Sequence, residues 1–220
     1  MTTAIVIGAT GLVGSEILAL LEEDPRFDSV VTLVRRARPE GNHPKVEEHV
    51  IDFRAPESWR ELVRGDVLFS AMGTTKKKAG SQEAQYEVDY TFQMRGARAA
   101  YEGGVDCVVL VSSMGADPSS SIFYSRMKGE LDRDVCALGL PRARVLRPGI
   151  LDGDRQEHRP LEAIGLRAMR AFAVVPGLRS FRPIHAKVVA RAAIAAWEDP
   201  TPGPVVYEVG RLFELGSPPP

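Results

Sequence analysis

Short apolar runs recur along the chain, separated by longer stretches in which apolar residues return every three or four positions. Ala4–Ile7, Val30–Val34, His49–Ile51, Val67–Ala71, Val105–Val111 and Ala143–Leu146 read as strands. Several are apolar throughout and rich in valine, the pattern of strands covered on both faces, as in a parallel sheet. In the first intervening stretch, Val13, Ile17, Leu20 and Leu21 make one apolar stripe while Glu16, Glu22 and Glu23 face water, which predicts an amphipathic helix. Further helices are predicted over Glu83–Glu102 and Phe123–Leu138. This alternation predicts an α/β fold built on an open, doubly wound parallel sheet with right-handed crossovers.

The pattern changes after Pro148. Residues 152–160 are charged and without period; a helix is expected at Leu161–Phe172, a Pro/Gly-rich loop through Gly177, an alanine-rich helix at Ala186–Trp197 and a last strand at Val205–Val209. The chain therefore reads as one domain over residues 1–215, with 150–205 forming a small C-terminal substrate lobe and Gly216–Pro220 a disordered tail. No internal repeat is present.

Composition narrows the partners. Of 220 residues, 44% are apolar and 26% charged, ordinary values for a globular protein. A net charge of −1 gives no reason to expect nucleic acid or an anionic membrane as partner. No apolar run approaches the ~20 residues that span a bilayer. Met1-Thr2-Thr3 runs directly into Ala4–Ile7, without the basic start and long apolar core of a signal peptide. Cys107 and Cys136 read as small buried hydrophobes with no metal-ligand spacing, so no metal site is expected, and their use fits a reducing, cytoplasmic location. The expected partner is a small-molecule substrate, with a protein partner left open and a monomer or homodimer as the state.

The first strand runs into Gly8-Ala9-Thr10-Gly11-Leu12-Val13-Gly14 and then the first helix. Gly8 permits a tight turn, Gly11 lets backbone approach a pyrophosphate, and Gly14 lets helix pack closely on strand. An anion then sits at the helix N-terminus, where free N–H groups and the dipole favour it. Glycines also simply make turns, but this strand–loop–helix context is that of a Rossmann-type dinucleotide site. Thr10, Leu12 and Val13 complete the expected loop contacts.

The second strand ends Leu33-Val34-Arg35-Arg36, and no acidic residue follows until Glu40. An acidic residue here would bind the ribose hydroxyls of NAD, whereas arginine accommodates the extra phosphate of NADP. Arg35 and Arg36 therefore point to NADP(H), against the plainer reading of a solvated basic turn. Asp52, beside Phe53, is placed to accept from the adenine amine, and it is equally a surface turn residue. Ala71-Met72-Gly73 ends the fourth strand with small residues along which the cofactor can lie.

The fifth strand ends in Ser112-Ser113, followed by Tyr124-Ser125-Arg126-Met127-Lys128. Tyr124 and Lys128 are four apart and share a helix face. A lysine ammonium favours an ionised tyrosine, and a serine hydroxyl can hold a substrate oxygen, so the three make a proton donor matched to a hydride donor. Strand alternation sends Ser112 and Ser113 to opposite faces. At most one of them therefore points at the substrate directly; analogy with related strand ends favours Ser113, with Ser112 on the cofactor side.

This order of glycine loop, serine strand end and tyrosine–lysine helix resembles the short-chain dehydrogenase/reductase superfamily over nearly the whole chain. Gly73-Thr74-Thr75 with Lys78-Ala79-Gly80, Ser112-Ser113 with Gly115-Ala116-Asp117, Tyr124 with Lys128-Gly129-Glu130, and Arg147-Pro148-Gly149 followed by Asp154-Arg155-Gln156-Glu157 and Arg159-Pro160 carry a narrower likeness. They resemble the atypical short-chain dehydrogenases related to the human HIV Tat-interacting protein. The resemblance implies a Rossmann fold, NADP(H) binding and a reductase site in which Tyr124 is the acid or base, Lys128 holds the nicotinamide ribose and Ser113 orients the substrate. It implies no particular substrate.

Pro148, Gly149 and Ile150 follow the sixth strand and are expected to run past the nicotinamide, which makes Asp152–Pro160 a candidate flap with Arg155 or Arg159 facing substrate. Lys76-Lys77-Lys78 reads as a solvated loop that can also guide an anionic cofactor, and His185 as a capping or packing residue. Asp89 draws no chemical role. The expected function is NADP(H)-dependent oxidation or reduction of a small carbonyl or hydroxyl compound. The alternative is a regulatory module that senses NADP(H) with little turnover.

Overall fold

The computed structural model describes residues 1–38, 43–152 and 183–217. Seven parallel strands form the central sheet: β1 (Thr3–Ile7), β2 (Ser29–Val34), β3 (Val46–Val50), β4 (Val67–Ser70), β5 (Cys107–Val111), β6 (Arg142–Arg147) and β9 (Gly203–Glu208), ordered β3-β2-β1-β4-β5-β6-β9. The chain winds outward from β1 in both directions, so the order reverses between β1 and β4. In an open α/β sheet, ligands bind at the carboxyl ends of the strands flanking such a reversal. This is the Rossmann-type doubly wound fold.

Helices cover both faces. One core packs α1 (Leu12–Glu23), α6 (Ala186–Glu198) and α7 (Val209–Gly216) onto the sheet around Ile17, Leu21, Val189 and Leu212. Phe27 meets Trp197 there with ring centroids 4.6 Å apart. The other packs α4 (Phe92–Glu102) and α5 (Phe123–Cys136) around Phe53, Trp59, Leu68 and Val108. Between α3 (Gln82–Tyr86) and α4 the helix passes through one π turn, Glu87–Thr91.

Departures from the sequence reading follow from position in the sheet. The third strand is Val46–Val50, earlier than His49–Ile51, because it pairs with β2 from Val30↔Val46 to Val34↔Val50. As an edge strand it carries consecutive polar residues, Glu47, Glu48 and His49, that break up an apolar run. Lys76–Ala79 is a helical turn, α2, not a loop; Thr75 Oγ1 accepts from Lys78 N at 3.3 Å and starts it. Of the C-terminal lobe expected over 150–205, the described residues are 150–152 and 183–205. A two-stranded sheet of β7 (Leu151–Asp152) and β8 (Ile184–His185) joins the chain on either side of residues 153–182, while α6 and β9 return to the central layers. The candidate flap beyond Asp152 and the helix expected at Leu161–Phe172 lie outside the described residues. Gly216, expected in a tail, is part of a helix. Gly216 ends α7 and is buried so tightly that a Cβ there would collide with the Val188 backbone. His185 caps α6, its Nδ1 accepting from Lys187 N at 3.1 Å.

Candidate active site

The turn out of β1 is shaped by backbone contact. Gly8 has φ +86°, and a Cβ there would lie 2.6–2.7 Å from Ala71 and Met72 backbone atoms. Gly11 N donates to Gly8 O at 2.9 Å. Helix α1 then starts at Leu12 with no side-chain cap, so its first-turn N–H groups remain available to an anion. A Cβ on Gly14 would run into the Gly8 carbonyl. Gly14→Ala must therefore displace backbone, not a flexible side chain. It is expected to cost about 1–3 kcal/mol of stability and to weaken nucleotide binding at least tenfold, as thermal melts and NADPH titration will show.

The loop opens onto a cleft of about 420 Å³ at the carboxyl ends of β1, β2 and β4. Of the residues expected to bind cofactor, Gly8, Thr10, Gly11, Arg35, Phe53, Ala71, Met72 and Gly73 line it. Ala9, Leu33, Val34 and Val88 line it as well, of which Ala9 and Val34 adjoin expected cofactor-binding residues. Val13 and Gly14 lie behind the wall, buried in α1 beyond Leu12. Arg36 and Asp52 are exposed and off the wall; the Asp52 carboxylate accepts from Arg54 N at 2.9 Å in its own turn. Among the described residues Arg35 is the one charged side chain on the wall. The uncapped helix start, the glycines pressed against backbone and this single cation fit a dinucleotide phosphate chain.

Helix α5 presents Tyr124, Lys128 and Asp132 one turn apart. Tyr124 is 40% exposed, whereas Lys128 and Asp132 are 2% and 3% exposed. Lys128 Nζ lies 3.3 Å from Asp89 Oδ1, and Asp89 Oδ2 accepts from Thr74 N at 2.8 Å. Thr74 directly follows the cleft residue Gly73, so Asp89 ties the cleft wall to Lys128. Burial pushes the Asp89 carboxyl above the usual range, and the Lys128 charge opposes that rise. One turn further along, Asp132 Oδ2 meets Arg147 Nε at 2.9 Å, and Arg147 Nη1 continues to Glu208 at 3.1 Å. Burial pushes the Asp132 carboxyl up as well.

The two serines separate as alternation requires. Ser112 is buried beside Asp132, and its hydroxyl favours the ionised Asp132 carboxylate. Ser113 is half-buried and its Oγ donates to Met114 O at 3.3 Å. The Pro148–Ile150 segment runs beside this strand end: Met114 N donates to Pro148 O at 2.8 Å, and Ile150 O accepts from Ile184 N at 2.9 Å. Sequence reasoning passed over Asp89. A signal was present in Gln85, Asp89 and Gln93, polar residues four apart that all turn inward.

A family profile described as NAD(P)H-binding matches residues 8–159. The chain is similar to "Protein fmp52, mitochondrial" of Aspergillus fumigatus, 39% identical over 99% of this chain and 96% of that protein. It is also similar to "Protein FMP52, mitochondrial" of Debaryomyces hansenii, 36% identical over 94% of each. Among solved structures it resembles MoeE5 in complex with UDP-glucose and NAD, with a TM-score of 0.68 at 18% identity over 97% of this chain and 80% of that one; at this identity the likeness is one of fold. The relatives' names overturn the cytoplasmic location expected above. Buried thiols such as Cys107 do not distinguish one reducing compartment from another, so cysteine usage could not carry that assignment.

Proposed function

Because the chain belongs to the NAD(P)H-binding family and shares most of its length with the fungal fmp52 proteins, we propose that it is an NADP(H)-dependent oxidoreductase of the atypical short-chain dehydrogenase type, acting on a small carbonyl or hydroxyl compound. The observation that carries this reading is the physical link from cleft to α5. Gly73 lines the cleft, Asp89 bonds the adjoining Thr74 and pairs with Lys128, and Lys128 lies one helical turn from the exposed Tyr124.

Gly8 to Gly11 and the first turn of α1 would hold the pyrophosphate, and Arg35 the 2′-phosphate. A bound reduced nicotinamide supplies a hydride. Tyr124 supplies or takes back the proton at the substrate oxygen, and the Lys128 ammonium balances the charge left on the phenolate. The Ser113 hydroxyl, held only by a neighbouring backbone carbonyl, orients that oxygen.

Arg35 makes no ion pair among the described residues, so its guanidinium is available to a phosphate. One charge-assisted hydrogen bond contributes about 1.5–3 kcal/mol, or roughly 10- to 150-fold in affinity. NADPH should therefore bind at least tenfold more tightly than NADH, and Arg35→Asp should erase the preference. Titration of both nucleotides into both proteins measures it; equal wild-type affinities would remove the NADP assignment.

A further inference from the structure

We propose that Arg54 and Glu87 are a positioning pair for the nucleotide: their ion pair ties two walls of the cleft together and sets the width of an adenine slot between Phe53 and Val88. The inference rests on the nucleotide placement proposed above and is independent of the reaction that follows.

The cleft residues divide by chemistry. Gly8 to Gly11 and Arg35 suit phosphates, whereas Leu33, Phe53 and Val88 offer an apolar surface suited to a flat heterocyclic base. Phe53 comes from the turn after β3, and Val88 from the π turn between α3 and α4. The Phe53 side is pinned from behind. Its ring stacks on Phe92 with centroids 5.5 Å apart, and its carbonyl accepts from Arg95 Nη1 at 2.9 Å. Phe92 and Arg95 both lie on α4, beyond the π turn. Val88 lies inside that turn, where the α-helical ladder is interrupted, a feature frequent at functional sites.

Glu87, next to Val88, is where the second wall is caught. Arg54 Nε donates to Glu87 Oε1 at 2.9 Å and Nη2 to Oε2 at 2.6 Å, a two-point fork that fixes orientation as well as distance. The Phe53–Arg54 turn is thus tied to the helix on both sides of Val88, at Glu87 before it and at Phe92 and Arg95 after it. The Arg54 hydrogen bonds, aided by the Arg95 charge, hold the Glu87 carboxyl below its usual range. The two side chains are 68% and 33% exposed, so the pair adds little to overall stability. Its effect is local: walls already held at binding width lose less freedom when the slot is filled.

The signs of two substitutions test this. Arg54→Gln removes a positive charge near an anionic ligand, and Glu87→Gln removes a negative one. Attraction alone would weaken binding in the first and strengthen it in the second; the positioning pair requires a loss in both. Calorimetric titration gives Kd for NADPH and for 2′,5′-ADP, which carries the adenine half alone. Each variant should raise both Kd values about two- to fivefold. The double variant should lose no more than either single one, because the second removal breaks nothing further. Tm should stay within about 2 °C of wild type, as for other surface changes. A Glu87→Gln protein that binds as tightly as wild type, or more tightly, overturns the proposal. So does a double-variant loss equal to the product of the single losses. Wild-type protein that binds neither ligand overturns it together with the nucleotide placement. Tight NADPH binding without turnover of any carbonyl compound removes only the oxidoreductase reading, and the Glu87→Gln result still decides the pair.

Discussion

Tyr124→Phe is expected to lower kcat/KM for NADPH-dependent carbonyl reduction by about 10²–10⁴-fold, the usual contribution of a positioned general acid. NADPH affinity should stay within about threefold of wild type. The phenol is 40% exposed and makes no hydrogen bond among the described residues, so its removal leaves no partner stranded and should barely change stability. The cleft that would hold the nucleotide lies at the ends of β1, β2 and β4 and does not include Tyr124. Loss of turnover with binding retained is thus the signature of a lost proton donor. A variant that keeps wild-type kinetics on a verified substrate would show that the proton comes from elsewhere. A wild-type protein that binds NADPH but turns over no carbonyl compound would favour the sensing role instead.

The second large effect lies away from the cleft. Arg144→Met is expected to cost about 3–5 kcal/mol of folding stability. Arg144 is fully buried in β6, yet among the described residues no carboxylate oxygen bonds its guanidinium. Nη1 donates to Ala143 O at 3.2 Å and Gly203 O at 2.8 Å, and Nη2 to Asp199 O at 2.8 Å and to Thr201 O. Apart from Ala143, these carbonyls belong to the turn that leads from α6 into β9. The turn is held from the other side by Asp199, whose carboxylate accepts from Thr201 N and from Tyr207 Oη; those bonds pull its carboxyl well below the usual range. Methionine would fill much of the space but leave the carbonyls buried without donors. For a chain of this length each kcal/mol corresponds to about 2–4 °C, so Tm should fall by roughly 10 °C. Calorimetry against wild type measures the change, and a shift under 2 °C would mean that the turn finds other donors.

Much of the sheet can be read directly because its central strands are covered on both faces. β1, β4 and β5 have to be apolar at successive positions, and continuous runs such as Ala4–Ile7 and Val108–Val111 follow. Edge strands are less visible. β3 is polar through its middle at Glu47, Glu48 and His49, and β9 begins Gly203-Pro204, residues that usually end a strand but that an edge with one free side accepts. Helix α7 is missed because Gly216, grouped by composition with the Ser and Pro that follow it, is instead required by close contact with Val188.

The same division runs through the site. Gly8, Gly11 and Gly14 act on one another within seven residues, and Tyr124 and Lys128 within one helical turn; such short-range geometry is written in residue spacing alone. The nucleotide-binding Rossmann-type fold and the glycine turn out of β1 were legible at that level, as was the placing of Tyr124 and Lys128 one turn apart on a helix. Asp89 meeting Lys128, Arg147 meeting Asp132, and the return of α6 and β9 to the main sheet depend on which strand lies beside which and how helices cross above them. No local pattern encodes these contacts, because a buried charge finds its partner only after packing has excluded water around both, and only the tertiary structure decides which two are enclosed together.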